Sequence, residues 1–311
     1  MRAHLLLVDK EPGLRSTRCV EIVRSRLGRN IKVGHAGTLD GPASGLLLIL
    51  LGSATRLSDY AMKLPKTYRV TLKLGIETTT GDITGSVTRT MPVSGDAEER
   101  LRRATCAFLG MRLQRPPAFS AVRVNGERAH RLARKGKTPP LEARPVFIRS
   151  IRVTSPVDED GYVSMVVECH KGTYIRSLAF DIGRKVGCGA TVSSLRRVAL
   201  GSLAEAQSLS SRLLPHMDRE ALSRHLLPVE RLLDHFTAYE IDQHVEEACW
   251  RGQAIKGCPG RRLLSWGILP TSEGVALVGE RGVTFCEVVL SSGGASFYPK
   301  VNVPLEGEIA G

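Results

Sequence analysis

Gly34-His35-Ala36-Gly37-Thr38-Leu39-Asp40-Gly41-Pro42, followed by Ala43-Ser44-Gly45 and the apolar run Leu46–Leu51, is the stretch that decides how this chain folds. Two glycines three apart allow a ligand close to the backbone and permit φ values closed to other residues. Asp40 stands at the exit of this turn, directly before a segment that reads as a buried strand. Spacing alone makes Asp40 a turn aspartate bonding its own backbone and His35 a polar turn residue satisfied by nearby peptide groups. A reactive carboxylate displayed on a constrained loop is the alternative that the local pattern leaves open.

Toward the N-terminus, His4–Asp9 is a short apolar strand, Gly13 turns the chain, and Ser16 or Thr17 caps a helix with Val20, Val23 and Leu27 on one face. Toward the C-terminus a helix is expected over Ser53–Leu64, then the clearest strand in the chain. There Tyr68, Val70, Leu72 and Leu74 alternate with Thr67, Arg69, Thr71 and Lys73, which turns Tyr68 inward beside three aliphatics. An inward tyrosine is usually core, its hydroxyl finding one partner. A strand over Ile83–Thr88, a helix over Asp96–Phe108, a strand-like Ser120–Asn125, a helix over Glu127–Lys135 with a stop at Gly136–Pro140, and a strand over Val163–Cys169 follow.

Thr173 is expected to cap a helix from Tyr174 to Val186 that ends at Gly187. Arg176 then falls in the first turn, beside the positive end of the helix dipole, and needs a compensating anion, either a carboxylate or a ligand phosphate. Ser210–Leu233 reads as a helical connector. From about Thr237 the chain offers one short helix and β segments over Leu263–Ile268, Gly274–Val278 and Thr284–Leu290, a small separate β module.

Composition bounds the function. The chain has 311 residues, 42% hydrophobic, enough for a large folded core. Its longest apolar run, Leu46–Leu51, is far short of the ~20 residues of a membrane span, and no signal-peptide pattern opens it, so the cytoplasm is expected and a membrane partner is not. Cys19, Cys106, Cys169, Cys188, Cys249, Cys258 and Cys286 are dispersed, which fits reduced thiols and gives no zinc spacing. The net charge of +13 is uneven. Arg112–Arg152 carries eleven basic residues against two glutamates, whereas Asp234 onward carries six basic against ten acidic. That basic middle segment is the footprint expected for a polyanion.

The loop at Gly34–Asp40 with Ala43-Ser44-Gly45 resembles the catalytic loop of the TruB family of tRNA pseudouridine synthases. Further likenesses follow in family order. Val8-Asp9-Lys10 with Gly13 resembles the N-terminal motif, and Lys66-Thr67-Tyr68-Arg69-Val70 the strand that bears the active-site tyrosine. Thr78, Thr80, Asp82 and Gly85 resemble the segment after it. Pro117–Ala121, Val124-Asn125-Gly126 and Ala129 resemble an RNA-gripping thumb. Gly172-Thr173-Tyr174-Ile175-Arg176 resembles the arginine motif, and Leu195-Arg196-Arg197 the strand end beyond. Residues 4 to about 206 are covered. The departures are Leu39-Asp40-Gly41-Pro42 where Leu-Asp-Pro is usual, Lys10-Glu11-Pro12 where Lys-Pro is usual, Arg15 where Thr is common, and His170 where Ser is frequent.

The resemblance implies an α+β fold: a catalytic domain over 1–233 with a mixed, mainly antiparallel bent sheet, a thumb insertion at about 114–140, and a PUA-like β module over 234–311. It implies isomerisation of uridine-55 in the T loop of tRNA to pseudouridine by base flipping. Asp40 would be the nucleophile, Arg176 its partner, and Tyr68 the stacking and proton-transfer group. His35, Asp82, Tyr174, Lys10, Arg123, Arg131 and Arg134 would bind the substrate. No metal or cofactor is called for, the T arm of tRNA is the expected partner, and a monomer is expected.

The reaction breaks an N-glycosidic bond and makes a carbon–carbon bond, for which a carboxylate nucleophile suffices. Asp40 would abstract a ribose proton to give a glycal, or attack C1′ or C6; the sequence does not choose. Two rival classes stand beside this reading. A non-catalytic RNA-binding protein needs only the basic segment and the β module. A hydrolase with an aspartyl nucleophile lacks a second carboxylate at recognisable spacing.

Overall fold

A strand of consecutive aliphatics is stable only where both of its faces are covered. Such strands organise the first part of the computed structural model, which describes residues 3–263, 274–292 and 294–305. The chain divides into two compact units, residues 1–64 with 199–311, and residues 65–198.

In the first unit, β1 (His4–Lys10) pairs antiparallel with β3 (Ser44–Leu51), Leu5 opposite Leu50 and Leu7 opposite Leu48. Between them in sequence lie α1 (Ser16–Leu27), which buries Cys19, Val20, Val23 and Leu27 on one stripe, and β2 (Val33–Ala36). The latter pairs with the other edge of β3, His35 opposite Ile49. Leu46–Leu51 are all fully buried.

The segment after β3, expected as one helix over Ser53–Leu64, is a 3-10 stretch at Gly52–Leu57 running into α2 (Ser58–Lys63). Ser210–Leu233 is not a helix either. Pro215 and Pro228 interrupt it, leaving a 3-10 turn at Leu214–His216, a short helix at Arg219–Ser223 and a strand at Leu226–Pro228 that pairs with β1. The C-terminal part of this unit holds the helix Gln243–Trp250, capped by the Asp242 carboxylate on Val245 N–H at 2.8 Å. It also forms a six-stranded sheet that includes Val275–Val278, Gly282–Ser291 and Gly294–Pro304. The expected segment Leu263–Ile268 lies outside the described residues beyond Leu263, which ends the strand Arg261–Leu263. Phe236 and Phe285 from this part pack with Tyr60 of α2, at ring centroid distances of 6.0 and 4.7 Å, in one core with Leu5, Leu48 and Leu50.

In the second unit β4 (Lys66–Leu74) shows the expected alternation: Val70, Leu72 and Leu74 are buried and Tyr68, on the same face, is half-buried against them. The ribbon of β5 (Ile76–Thr78) and β6 (Val87–Thr90) follows, so the strand expected over Ile83–Thr88 starts later and Ile83 is exposed. Then come α3 (Ala97–Cys106) and β7 (Gly110–Gln114). The basic segment makes a minimal hairpin, β8 (Arg123–Val124) and β9 (Glu127–Arg128), with Asn125 and Gly126 at positive φ as a two-residue turn demands, and a short α4 (Ala129–Arg134). β10 (Arg144–Val153), β11 (Tyr162–Cys169), α5 (Ile175–Val186) and β12 (Ala190–Leu200) complete the unit.

β7, β10, β11 and β4 form an antiparallel run. Helices α3 and α5 pack on one face of it through Leu101, Leu178, Ala179 and Ile182. Gly187, at φ 95, ends α5 as expected. Neither expected serine/threonine cap is made: α1 and α5 both begin without a side-chain cap bond.

Candidate active site

The aspartate loop belongs to the first unit, and its shape is set by residues distant in sequence. Ser16, freed from capping α1, instead accepts from Leu39 N–H at 3.1 Å and lies 3.3 Å from Leu39 C=O through the same hydroxyl. Gly13 N–H donates to Gly41 C=O at 2.8 Å, and Ala43 N–H to Asp40 C=O at 3.1 Å. Lys10 is fully buried, its ammonium donating to the carbonyls of Glu11 (2.9 Å), Leu14 (2.8 Å) and Gly41 (3.4 Å).

Lys10 therefore holds the loop by its carbonyls. Asp40 is left half-buried between two buried apolar neighbours, Leu39 and Ala43. The extra glycine at position 41 supplies the carbonyl that both Gly13 and Lys10 hold. His35 is on β2 rather than in the turn, half-buried in register with Ile49.

The tyrosine and the arginine belong to the second unit. Tyr68 is held in register with Val167 of β11, which fixes its ring on the inward face. Arg176 is 6% exposed in the first turn of α5. Its guanidinium donates to the carbonyls of Thr80 (2.8 Å) and Phe119 (2.9 Å), and one Nη lies 3.9 Å from Asp82 Oδ2. The compensating anion expected for a cation at a helix start is thus present, and within this unit it is Asp82. Gly81 permits the approach: at φ 74, a Cβ there would stand 3.3 Å from Arg176 Cβ.

Asp82 is itself fixed. Its Oδ1 accepts from Thr80 Oγ1 (2.8 Å), Thr84 N–H (3.0 Å) and Thr84 Oγ1. Its main chain bridges to Val192, with Val192 N–H on Gly81 C=O and Ile83 N–H on Val192 C=O, each at 3.0 Å. Two carbonyls and a carboxylate around one planar guanidinium fix its orientation more tightly than a point charge would be held.

Tyr174 caps α5 through its backbone, and Gln114 grips both of its peptide groups: Tyr174 N–H donates to Gln114 Oε1 at 2.8 Å, and Gln114 Nε2 donates to Tyr174 C=O at 3.1 Å. Gln114 and Ser16 escape a reading of the sequence because each acts on a residue far along the chain. Lys66, two residues before Tyr68, is also buried; burial, with the Arg197 charge next in weight, lowers its ammonium to about 8. Arg123, Arg131 and Arg134 are exposed on the basic hairpin and helix.

A carboxylate on a braced loop in the first unit, and a buried arginine with an inward tyrosine in the second, are the residues that the sequence singles out. Solved structures share the fold. The chain aligns over 97% of its length, and 85% of the other chain, with a Cbf5–Nop10–Gar1 complex structure at a TM-score of 0.70 and 23% identity. It aligns over 98%, and 85% of the other chain, with an H/ACA RNP bound to a substrate RNA containing 2′-deoxyuridine, at 0.67 and 22%.

Residues 24–175 match the family model for the N-terminal domain of TruB family pseudouridylate synthase, and residues 176–234 that for the tRNA pseudouridylate synthase B C-terminal domain. Proteins named tRNA pseudouridine synthase B are similar along most of their length. The one from Clostridium perfringens is 39% identical over 76% of this chain and 79% of the relative. That from Nitrosococcus oceani is 37% identical over 81% and 82%. The chain belongs to the TruB family of pseudouridylate synthases, and is an isomerase.

Proposed function

We propose that this enzyme converts uridine-55 in the T loop of tRNA to pseudouridine, with Asp40 as its nucleophile. What carries the reading is the family match, which takes in Asp40, Tyr68 and Arg176, together with the relatives named for tRNA. The bracing of Leu39 and Gly41 by Ser16, Gly13 and Lys10 supports it, because a nucleophile is effective only when held in its attacking geometry.

Asp40 opens the reaction at the ribose or at the base and breaks the N-glycosidic bond; the uracil turns, and C5 is joined to C1′. Arg176 keeps the Asp40 carboxylate ionised and aimed, and Asp82 with the Thr80 and Phe119 carbonyls fixes the plane of that guanidinium. Tyr68 stacks on the flipped base, and its phenol takes part in the late removal of the C5 proton. Tyr174 lines the base site. His35 fills the space vacated by the flipped nucleotide, offsetting an unstacking cost of a few kcal/mol.

Residues of about 114–140 act as a thumb, in which Arg123, Arg131 and Arg134 meet phosphates of the T arm. Residues 234–311 serve as a PUA-like module and residues 1–233 as the catalytic domain. The enzyme acts as a monomer in the cytoplasm, without metal or cofactor. No described helix is long and apolar enough to cross a membrane.

The test is to incubate the enzyme with an unmodified tRNA transcript and map the product. Pseudouridine at position 55 is expected; release of free uracil, or modification elsewhere only, contradicts the reading.

A further inference from the structure

Six consecutive residues, Gln114 to Phe119, lead from β7 into the basic hairpin, and three of them hold the first turn of α5. Gln114 clasps the backbone of Tyr174 from both sides, at 2.8 and 3.1 Å. Arg115 C=O accepts from Ser177 Oγ at 2.8 Å, and Phe119 C=O accepts from the Arg176 guanidinium at 2.9 Å. Thus residues 174, 176 and 177 are all tied to the root of the insertion. Tyr174 and Arg176 are the two residues of this turn assigned to the site.

The opposite end of the root is tied to the RNA-facing helix. His130 N–H donates to Ser120 C=O at 3.1 Å, the His130 ring Nδ1 lies 3.0 Å from that same oxygen, and Ala129 N–H donates to Val122 C=O at 2.7 Å. A run of hydrogen bonds therefore joins α4, which carries Arg131 and Arg134, through Ser120 and Phe119 to Arg176. Gln114 is the buried polar anchor at the start of the root, beside this run. It is the one fully covered residue of β7, 3% exposed, where Met111 and Leu113 on the other face are 69% and 70% exposed.

We infer that Gln114 is a positioning residue for the isomerisation: it fixes the start of α5 against the root of the insertion, so that seating RNA on Arg131 and Arg134 sets the attitude of Arg176. Gln114 touches no reacting atom; it acts through Tyr174 and Arg176. The inference rests on the isomerase reading. It adds that the basic segment is part of the catalytic geometry as well as a phosphate grip.

The side chain must donate at one atom and accept at the other. An amide does both at every pH. A leucine does neither. A glutamate accepts at both oxygens when ionised, but when protonated it offers one acceptor and one O–H donor, the same pair as the amide. Gln114→Glu is therefore a conservative variant whose rescue depends on pH.

The experiment measures single-turnover pseudouridine formation at saturating tRNA, tRNA affinity, and thermal midpoint for the wild type, Gln114→Leu and Gln114→Glu. Gln114→Leu is expected to lose tenfold or more in the rate while tRNA affinity stays within threefold. Gln114→Glu is expected to show a similar loss at pH 8, and to recover to within threefold of the wild type at the same pH as it falls to 5.5. Wild-type rates in both variants overturn the inference, as does a loss confined to affinity, or a Gln114→Glu defect that is the same at every pH. A wild type that makes no pseudouridine would instead refute the underlying isomerase reading, and the two failures are thereby told apart.

Discussion

Arg176 is where the residue scale decides most. A lysine there keeps the charge, but its ammonium cannot donate in one plane to Thr80 C=O and Phe119 C=O while facing Asp82 at 3.9 Å. Arg176→Lys is expected to fold and to lose at least a hundredfold in turnover; near wild-type kcat would reduce Arg176 to a general structural cation. Tyr68→Phe keeps the ring, so it should bind tRNA normally and turn over slowly, whereas Tyr68→Leu should lose binding of the flipped base as well. Equal, near-normal rates in both would return Tyr68 to the core.

Lys66 gives a prediction in pH. Its ammonium titrates at about 8 in the folded protein, against an ordinary lysine value of 10.5. Between those values the unfolded chain binds the extra proton, so stability rises with pH across that window. Buried thiols act oppositely: Cys169 is pushed up to about 12 by burial, so its contribution falls once unfolded thiols ionise near pH 9. The clean window is thus pH 8 to 9, where the wild-type midpoint in urea should climb more steeply than that of Lys66→Met. Parallel slopes would show that Lys66 keeps an ordinary titration.

At the scale of elements, α5 depends on two glycines with different tasks. Gly187 supplies the left-handed C-cap. Gly183 lets the helix approach the start of β12, where a Cβ would stand 2.1 Å from Ala190 N. Backbone cannot yield as a side-chain tip does, so Gly183→Ala should cost about 1–3 kcal/mol, the ordinary range for overpacking, measured by urea unfolding; an unchanged midpoint would mean that α5 shifts freely.

Legibility followed the range of the interactions. β4 was readable because its alternation is local, and α5 because Gly187 and its apolar stripe lie within the helix. The Asp40 loop was readable as a motif, but its bracing was not: Ser16 looks like a cap from its neighbours, and only the folded chain brings Leu39 to it. Arg176 at a helix start called for an anion, and nothing adjacent in sequence showed that Asp82 comes within 3.9 Å of it. Ser210–Leu233 misled because its leucines have helical spacing while Pro215 and Pro228 break the backbone. Gln114 was invisible, a polar residue at the end of an exposed edge strand.

For the whole molecule, the proposed function has charge divide the work of holding RNA. Arg123–Lys137 carries six basic residues against Glu127, while residues 234–311 carry six basic against ten acidic. Each phosphate contact contributes a slope of roughly −0.7 to −0.9 in log K against log salt. Replacing Arg131, Arg134, Lys135 and Lys137 with Gln should flatten the slope for tRNA by about two units, at three phosphate contacts or more; Lys135 contributes least, being paired with Glu127 at 2.8 Å. Neutralising the tail cations Arg261 and Arg262 should change the slope by less than about one unit. The reverse order would make the C-terminal module the principal grip.

In the proposed reaction Asp40 carries out the isomerisation while other residues hold the RNA. This is tested most directly by comparing the wild type with Asp40→Asn on one unmodified tRNA, following pseudouridine at position 55 in single turnover and affinity by filter binding. Full conversion by the wild type is expected, and no conversion by Asp40→Asn with affinity within a few fold. Conversion by Asp40→Asn at the wild-type rate, with deamidation excluded by mass, would contradict it.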